Sequence, residues 1–260
     1  MKWPSKVLLP FLTLDCNNRC PYCINRQAPD QNLNFSILAP GQWIDFIESL
    51  DGVEQVILNG GEPAIYPGFP EVISALAGFS SVAIGTNYSS ASTQVFSLIK
   101  PYPGLFFDGS FHPDSQSFGE VSGNILRLLY LGFHVRVHMI DYPNHTIPPS
   151  FFLDMFRALG IECFLHPFMG KLGGVYYPDP SFAPMCGMKS RSKVTCPRGE
   201  FFPIAPDGNI YFCHYLMYSQ KPSGIIGHIG ALPPSLPESL PCDHFGFCSP
   251  CDFPKTVQYR

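Results

Sequence analysis

From residue 6 to about residue 166, short apolar runs alternate with stretches of helical spacing. The runs are "KVLLPFLTL", "VEQVIL", "SVAIGT", "GLFFDGS", "HVRVHMI" and "ECFLH", each of strand length and rich in β-branched and aromatic residues. Between them, apolar residues recur on one helical face: Trp43, Ile44, Ile47 and Leu50; Val121, Ile125, Leu128 and Leu129; Phe151, Phe152, Met155, Phe156 and Leu159. Pro40, Pro148 and Pro149 suit first helical turns, where a missing N–H leaves nothing unpaired. Nearly continuous apolar strands separated by amphipathic helices predict an α/β fold with a parallel sheet, either doubly wound or curled into a partial barrel. In both forms ligands collect beyond the carboxyl ends of the strands, and most polar residues of interest fall there.

After His166 the rhythm stops. Residues 167–190 are rich in Gly and Pro and are expected to form a linker or lid. Residues 191–260 hold no long helical pattern; "FFPIAPDGNIYFCHYL" contains two short strand-like pieces around the turn signal "PDGN". A region this small has little core of its own and calls for a staple, for which cysteines are available.

Composition narrows the function classes. Across 260 residues, 45% are hydrophobic and 14% charged, which describes a folded chain with a sizeable core. The net charge is −4, and no basic block could track a phosphate backbone, so nucleic acid is not an expected partner. The start, "MKWPSKVLLPFLTLDC", imitates a secretory signal but holds a proline and lacks a small-residue cleavage site. No other stretch approaches the ~18 apolar residues of a membrane span, so the expectation is a cytoplasmic protein with no membrane partner. In a reducing compartment ten cysteines argue for metal or redox chemistry rather than disulfides.

Three of them, Cys16, Cys20 and Cys23, lie in "DCNNRCPYCINR" directly after the first strand. Thiolates with C-x3-C-x2-C spacing can wrap one small inorganic core, and three of them on a four-iron cube leave one iron open to a substrate or cofactor. A structural zinc site is the alternative, but it wants four ligands and the loop offers three. After the second strand comes "NGGEP": Gly60 and Gly61 allow close backbone approach, and carbonyls with the Glu62 carboxylate suit an ammonium group.

Together these motifs resemble the radical S-adenosylmethionine (SAM) superfamily over roughly residues 7–166. The resemblance implies a partial (β/α)6 TIM-like barrel over residues 1–166 and a 4Fe–4S cluster on Cys16, Cys20 and Cys23. Tyr22, at the aromatic position before the third cysteine, would border the adenine; Gly60, Gly61, Glu62 and Pro63 would receive the SAM amino group. "GTNYS" stands where family members often carry Thr-Asn-Gly, which makes Thr86 and Asn87 candidates for the SAM site, with Tyr88 in place of the usual glycine. "DGSFHP" offers Ser110 and His112 for ribose or carboxylate oxygens. The glycine-rich pattern of strand five is missing from "VRVHMIDYPN". The implied chemistry is one-electron reduction of SAM, with flavodoxin or ferredoxin as electron donor, giving a 5′-deoxyadenosyl radical that takes hydrogen from an unactivated C–H bond.

The second cysteine group opens as C-x11-G-x4-C with Cys196, Gly208 and Cys213, followed by Cys242, Cys248 and Cys251. It resembles the auxiliary-cluster domain called SPASM, or its shorter form, twitch. The resemblance implies a small C-terminal cluster domain over residues 191–260 with a second 4Fe–4S cluster on Cys196, Cys213, Cys248 and Cys251. Cys242 is the alternative ligand, and zinc the alternative metal. Cys186 in the lid could quench a substrate radical, whereas Cys163 reads as a small core residue. A cluster with four thiolates would serve electron transfer, so the expected reaction is dehydrogenation of a small molecule with a base beside the reacting carbon. Candidates for that base are Asp108, His112 and His138, with His166, Lys171 and Arg198 behind them. No leader-peptide-binding region is seen before residue 7, which favours a small-molecule substrate over a short peptide. The other readings are a maturase that crosslinks or epimerises a ribosomal peptide, an activase for a glycyl radical protein, and a zinc-stabilised binding module without redox chemistry.

Overall fold

The computed structural model describes residues 3, 5–23, 25, 33–168, 170–173, 175–177, 192–197, 201–233 and 235–245; the side chains of 170–171, 176–177, 192–197 and 242–245 are outside that description. All six apolar runs form strands: β1 (Val7–Pro10), β2 (Gln55–Leu58), β3 (Ser81–Ile84), β4 (Leu105–Ser110), β5 (His134–Asp141) and β6 (Glu162–Pro167). The intervening helices are α1 (Pro40–Glu48), α2 (Phe69–Ala75), α3 (Ser90–Phe96), α4 (Phe118–Tyr130) and α5 (Pro149–Ala158). Pro40 and Pro149 open α1 and α5, as the sequence predicts.

The six strands pair in parallel and lie in chain order. Right-handed crossovers in an order without reversal put the five connecting helices on one face of the sheet, and this distinguishes the fold from a doubly wound one, whose strand order reverses. Alternation along the strands shows the two faces. Leu105, Phe107, Val135, Val137 and Met139 are buried among Trp43, Phe96, Val121 and Phe152 of the helices. Phe106, Asp108, Ser110, Arg136, His138 and Ile140 face the other way and stay partly exposed. That face carries the polar chemistry.

Beyond β6, the segment expected as linker or lid holds a short hairpin, β7 (Gly170–Leu172) with β8 (Val175–Tyr177). Then β9 (Ser192–Pro197) pairs with β13 (Ser239–Phe245) as a two-stranded antiparallel ribbon. Between these, β10 (Pro203–Ile204), β11 (Asn209–Tyr211) and β12 (Ile225–His228) do not stand apart as a small domain of their own. They extend the main sheet, which among the described residues has nine strands in the order β12-β11-β10-β1-β2-β3-β4-β5-β6. β10 runs parallel to β1, with Leu9 opposite Pro203 and Pro10 opposite Ile204.

The reason is burial. Phe202, Ile204, Ile210 and Ile229 join the main core, and Tyr211, Phe212, Met217 and Tyr218 pack with Leu9 and Phe11 on the other face of β1. The "PDGN" turn forms as predicted: Gly208 takes a positive φ of 83°, and Asn209 N donates to Asp207 Oδ1 at 3.0 Å.

Candidate active site

The cysteine loop leaves β1 and is stitched to the ends of the next two strands. Gly61 N donates to Thr13 O at 3.0 Å, and Glu62 N to Asp15 O at 2.8 Å. A Cβ on Gly61 would lie 1.8 Å from Asp15 O, and one on Gly60 2.3 Å from Thr13 O, so the two glycines are what lets the loop and the turn touch. Glu62 is fully buried and accepts from Thr86 Oγ1 at 3.0 Å, Asn87 N at 2.8 Å and Ala64 N at 3.3 Å. Burial pushes its carboxyl up to about 7 against the lowering effect of those bonds. Its carboxylate thus locks the end of β2 to the end of β3, while Pro63 begins a single 3-10 turn.

Asn87 extends the stitching back to the cysteines. Its Nδ2 donates to Asn17 Oδ1 at 2.7 Å and stands 3.7 Å from Cys16 Sγ. Cys16 is exposed, Cys23 half-buried and Cys20 buried, with Cys20 Sγ 3.9 Å from Ser115 Oγ. Burial raises the Cys16 thiol and pushes Cys20 up to about 12; the nearby charges of Cys23 and, for Cys20, of Cys16 add to the rise. Among the described residues no three His, Cys, Asp or Glu side chains converge as a lone metal ion requires. Three thiols in one short loop, of which Cys16 and Cys20 hold their protons until a cation replaces them, fit a wider, polynuclear core. Among the described residues the buried Asn18 Nδ2 in the same loop has no hydrogen-bond partner, which makes it a donor available to an anionic group there.

Tyr22 is buried under the loop, its ring 5.0 Å from Tyr142, 5.4 Å from His145 and 5.6 Å from His112. Its hydroxyl lies 2.9 Å from His112 Nδ1. Burial, helped by the charge of His145, pushes His112 down to about 4, while burial raises the Tyr22 hydroxyl. A protonated phenol therefore donates to a neutral imidazole, and His112 packs and orients Tyr22. His145 Nδ1 is bonded to Asp114 Oδ2, and its Nε2 lies 2.9 Å from Ile140 O.

Asp108 and His138 meet on the open face. His138 Nε2 lies 2.5 Å from Asp108 Oδ1, and His138 Nδ1 lies 2.7 Å from His166 Nε2. Arg136 Nε stands 3.0 Å from Asp108 Oδ1, with its guanidinium 4.6 Å from the centre of the Phe106 ring. Burial acts to raise the Asp108 carboxyl, but the His138 hydrogen bond and charge, with Arg136, hold it below the ordinary range. Ser110 faces His138 in the strand register, and its N donates to Thr86 O at 2.7 Å.

Sequence reasoning missed two residues. Arg136 could have been found, because strict alternation in "HVRVHMI" puts it on the face of His138. Tyr88 looked like a departure from Thr-Asn-Gly. It keeps the positive φ, 54°, and is fully buried; its hydroxyl donates to Arg136 O at 2.5 Å and accepts from Gly109 N at 2.9 Å.

In the tail, Cys196 stands opposite Leu240 in the ribbon, and Cys242, two residues after Leu240, opposite Val194, two residues before Cys196. Cys213 immediately precedes the short helix α6 (His214–Tyr218) and packs against the Leu9 and Phe11 cluster. Cys186, Arg198, Cys248 and Cys251 lie outside the described residues, as does the side chain of Lys171.

No protein-family model matches the chain. It is 30% identical over 158 residues to the GTP 3′,8-cyclase of Aquifex aeolicus, a match spanning 53% of this chain and 48% of that protein. It is also 30% identical over 92 residues to the GTP 3′,8-cyclase of Chlorobaculum tepidum, over 34% of this chain and 28% of that one. The chain spans about half or less of the length of these curated relatives. Among solved structures, anSMEcpe with bound AdoMet superposes with a TM-score of 0.57 at 12% identity, over 86% of this chain and 77% of that chain. The same protein with AdoMet and a Kp18Cys peptide gives 0.57 over the same shares. At that identity the likeness is one of fold. Taken with the cysteine loop, the comparisons are in keeping with the resemblance to the radical SAM superfamily. Among the described residues no helix is long and apolar enough to cross a membrane.

Proposed function

We propose that this chain is a radical SAM enzyme that removes hydrogen from a small molecule in a two-electron oxidation. In this reading Cys16, Cys20 and Cys23 hold a 4Fe–4S cluster, and Cys196, Cys213, Cys248 and Cys251 an auxiliary one. The observation that carries it is the joining of three consecutive strand ends into one rim, with the cysteine loop bonded to Gly61, Glu62 and Asn87. When bound, cluster and SAM supply a carbon radical able to take a hydrogen atom from an unactivated C–H bond.

The chain's own residues do the rest. Glu62, Thr86 and Asn87 hold the rim rigid, and Tyr22 with its aromatic neighbours excludes water from the base of the loop. Asp108 and His138 supply acid–base capacity on the open face, which an oxidation needs once hydrogen has been removed. The curated relatives are named for GTP, a small molecule, in keeping with that substrate class. The second reading, a maturase acting on a peptide, draws its support from the peptide held by the solved neighbour.

The test is anaerobic purification followed by metal, sulfide and SAM-cleavage assays. A brown protein whose first cluster changes its electron paramagnetic resonance signal on SAM addition, and which releases 5′-deoxyadenosine, is the expected result. Replacing Cys16, Cys20 and Cys23 by Ala should abolish both. A colourless protein with zinc and no sulfide would overturn the proposal in favour of a binding module, and label transfer from a deuterated peptide would favour the maturase.

A further inference from the structure

Three side chains from three adjacent strands form a hydrogen-bonded row on the open face: Asp108 of β4, His138 of β5 and His166 of β6. Their order fixes where the protons sit. Asp108 is an acceptor only, so His138 must carry its proton on Nε2 to bond it at 2.5 Å. That leaves His138 Nδ1 with a lone pair, which at 2.7 Å accepts the Nε2 proton of His166. His166 Nδ1 then bears a lone pair at the exposed end of the row.

We propose that Asp108, His138 and His166 are a directional proton relay in which His166 Nδ1 is the atom that takes a proton from the substrate. This rests on the proposed radical SAM reading and names the substrate class for it: a compound whose reacting carbon bears an O–H or N–H group. The O–H or N–H bond of the substrate breaks, and an N–H bond forms at His166 Nδ1. The Nε2 proton of the resulting imidazolium can pass to His138 Nδ1, which moves the positive charge towards Asp108. No electron moves in this step.

The surroundings suit that direction. Burial holds His166 below the ordinary imidazole value despite the opposing charge of Asp108, so it is neutral and ready to accept at neutral pH. On the same face the His138 hydrogen bond, and after it Arg136 beside the carboxyl, hold Asp108 below its ordinary range. Phe164 stacks on His138 with centroids 5.3 Å apart and planes 19° from parallel, which fixes the ring. Among the described residues two ion pairs lie nearby, His134 with Glu162 at 3.8 Å towards the start of β5 and β6, and Arg157 with Asp154 at 3.4 Å on α5 behind the sheet, and Asp141 ends β5.

The experiment is imidazole nitrogen NMR on the full chain, purified anaerobically and labelled at histidine. Wild-type His138 and His166 are both expected in the Nε2–H form at pH 7.5. Asp108→Leu removes the first acceptor without supplying another, so both rings should lose their fixed Nε2–H form and gain the Nδ1–H form. Should that variant fold poorly, His166→Gln serves, and His138 is expected to remain Nε2–H because Asp108 alone sets it. A wild-type His166 protonated on Nδ1, an unchanged His166 in Asp108→Leu, or a His138 that switches in His166→Gln would overturn the relay. SAM cleavage by the wild-type protein, measured on the same sample, judges the radical SAM reading separately.

Discussion

Replacing Tyr88 by Gly sets two effects against each other. The backbone at this position has a φ of 54°, which in a non-glycine residue costs about 1–2 kcal/mol, and a glycine would recover that. The side chain acts the other way. It is fully buried and tightly packed, since a Cβ on Gly109 would stand 2.5 Å from one ring atom and 2.7 Å from another. Truncating a buried aromatic costs about 3–5 kcal/mol. Its hydroxyl also serves Gly109 N and Arg136 O, and each lost hydrogen bond is worth about 1 kcal/mol. The losses outweigh the gain, and Tyr88→Gly should destabilise the protein by about 3–6 kcal/mol. At ~2–4 °C per kcal/mol for a chain of this size, the melting temperature should fall by roughly 10 °C. Tyr88→Phe should lose only about 1 kcal/mol, because Gly109 and Arg136 belong to adjacent, paired strands and can close on each other. Thermal melts followed by circular dichroism under anaerobic conditions give both values. A Tyr88→Gly protein that melts at or above the wild type would refute the reasoning, since strain rather than packing would then dominate the site.

Two further outcomes follow from the rim. Gly61→Ala places a methyl 1.8 Å from Asp15 O, so the cysteine loop must move; a loss of about 2–3 kcal/mol is expected, with reduced iron uptake on reconstitution as the second readout. Glu62 has a folded-state carboxyl at about 7 against an ordinary value of 4.5, so its contribution is fully present below pH 4.5 and is lost as pH rises towards 7. Across that window the slope is at most about 1.4 kcal/mol per pH unit, and Glu62→Gln should remove it, as denaturant midpoints at about pH 5 and about pH 7 would reveal.

The strands and the three best-patterned helices were legible because period 2 and period 3.6 are local properties of the chain. The "PDGN" turn was legible for the same reason, since Gly208 and Asp207 act within four residues. The pairing of β10 with β1 was not, because residues 203–204 and 9–10 are brought together by apolar burial on both faces of β1 and by no local signal. Asp108, His138 and His166 were each recognisable as acid–base groups. Their contact depends on register, with Ser110 opposite His138 and Ile140 opposite His166, and the lengths of the βα connections do not encode register. The role of Glu62 was half visible: its motif points to the rim, but its partners, Thr86 and Asn87, come from the next strand end.

The parallel seam between β1 and β10 bears on how the protein can be cut. A fragment ending at β6 would leave one whole flank of "VLLP" without a neighbour, a template on which other copies could add and precipitate. The cysteine loop hangs from that same strand. Protein engineers seeking a minimal core, or exchanging tails between relatives, would therefore be baring the strand that anchors the cysteine loop along with removing the appendage.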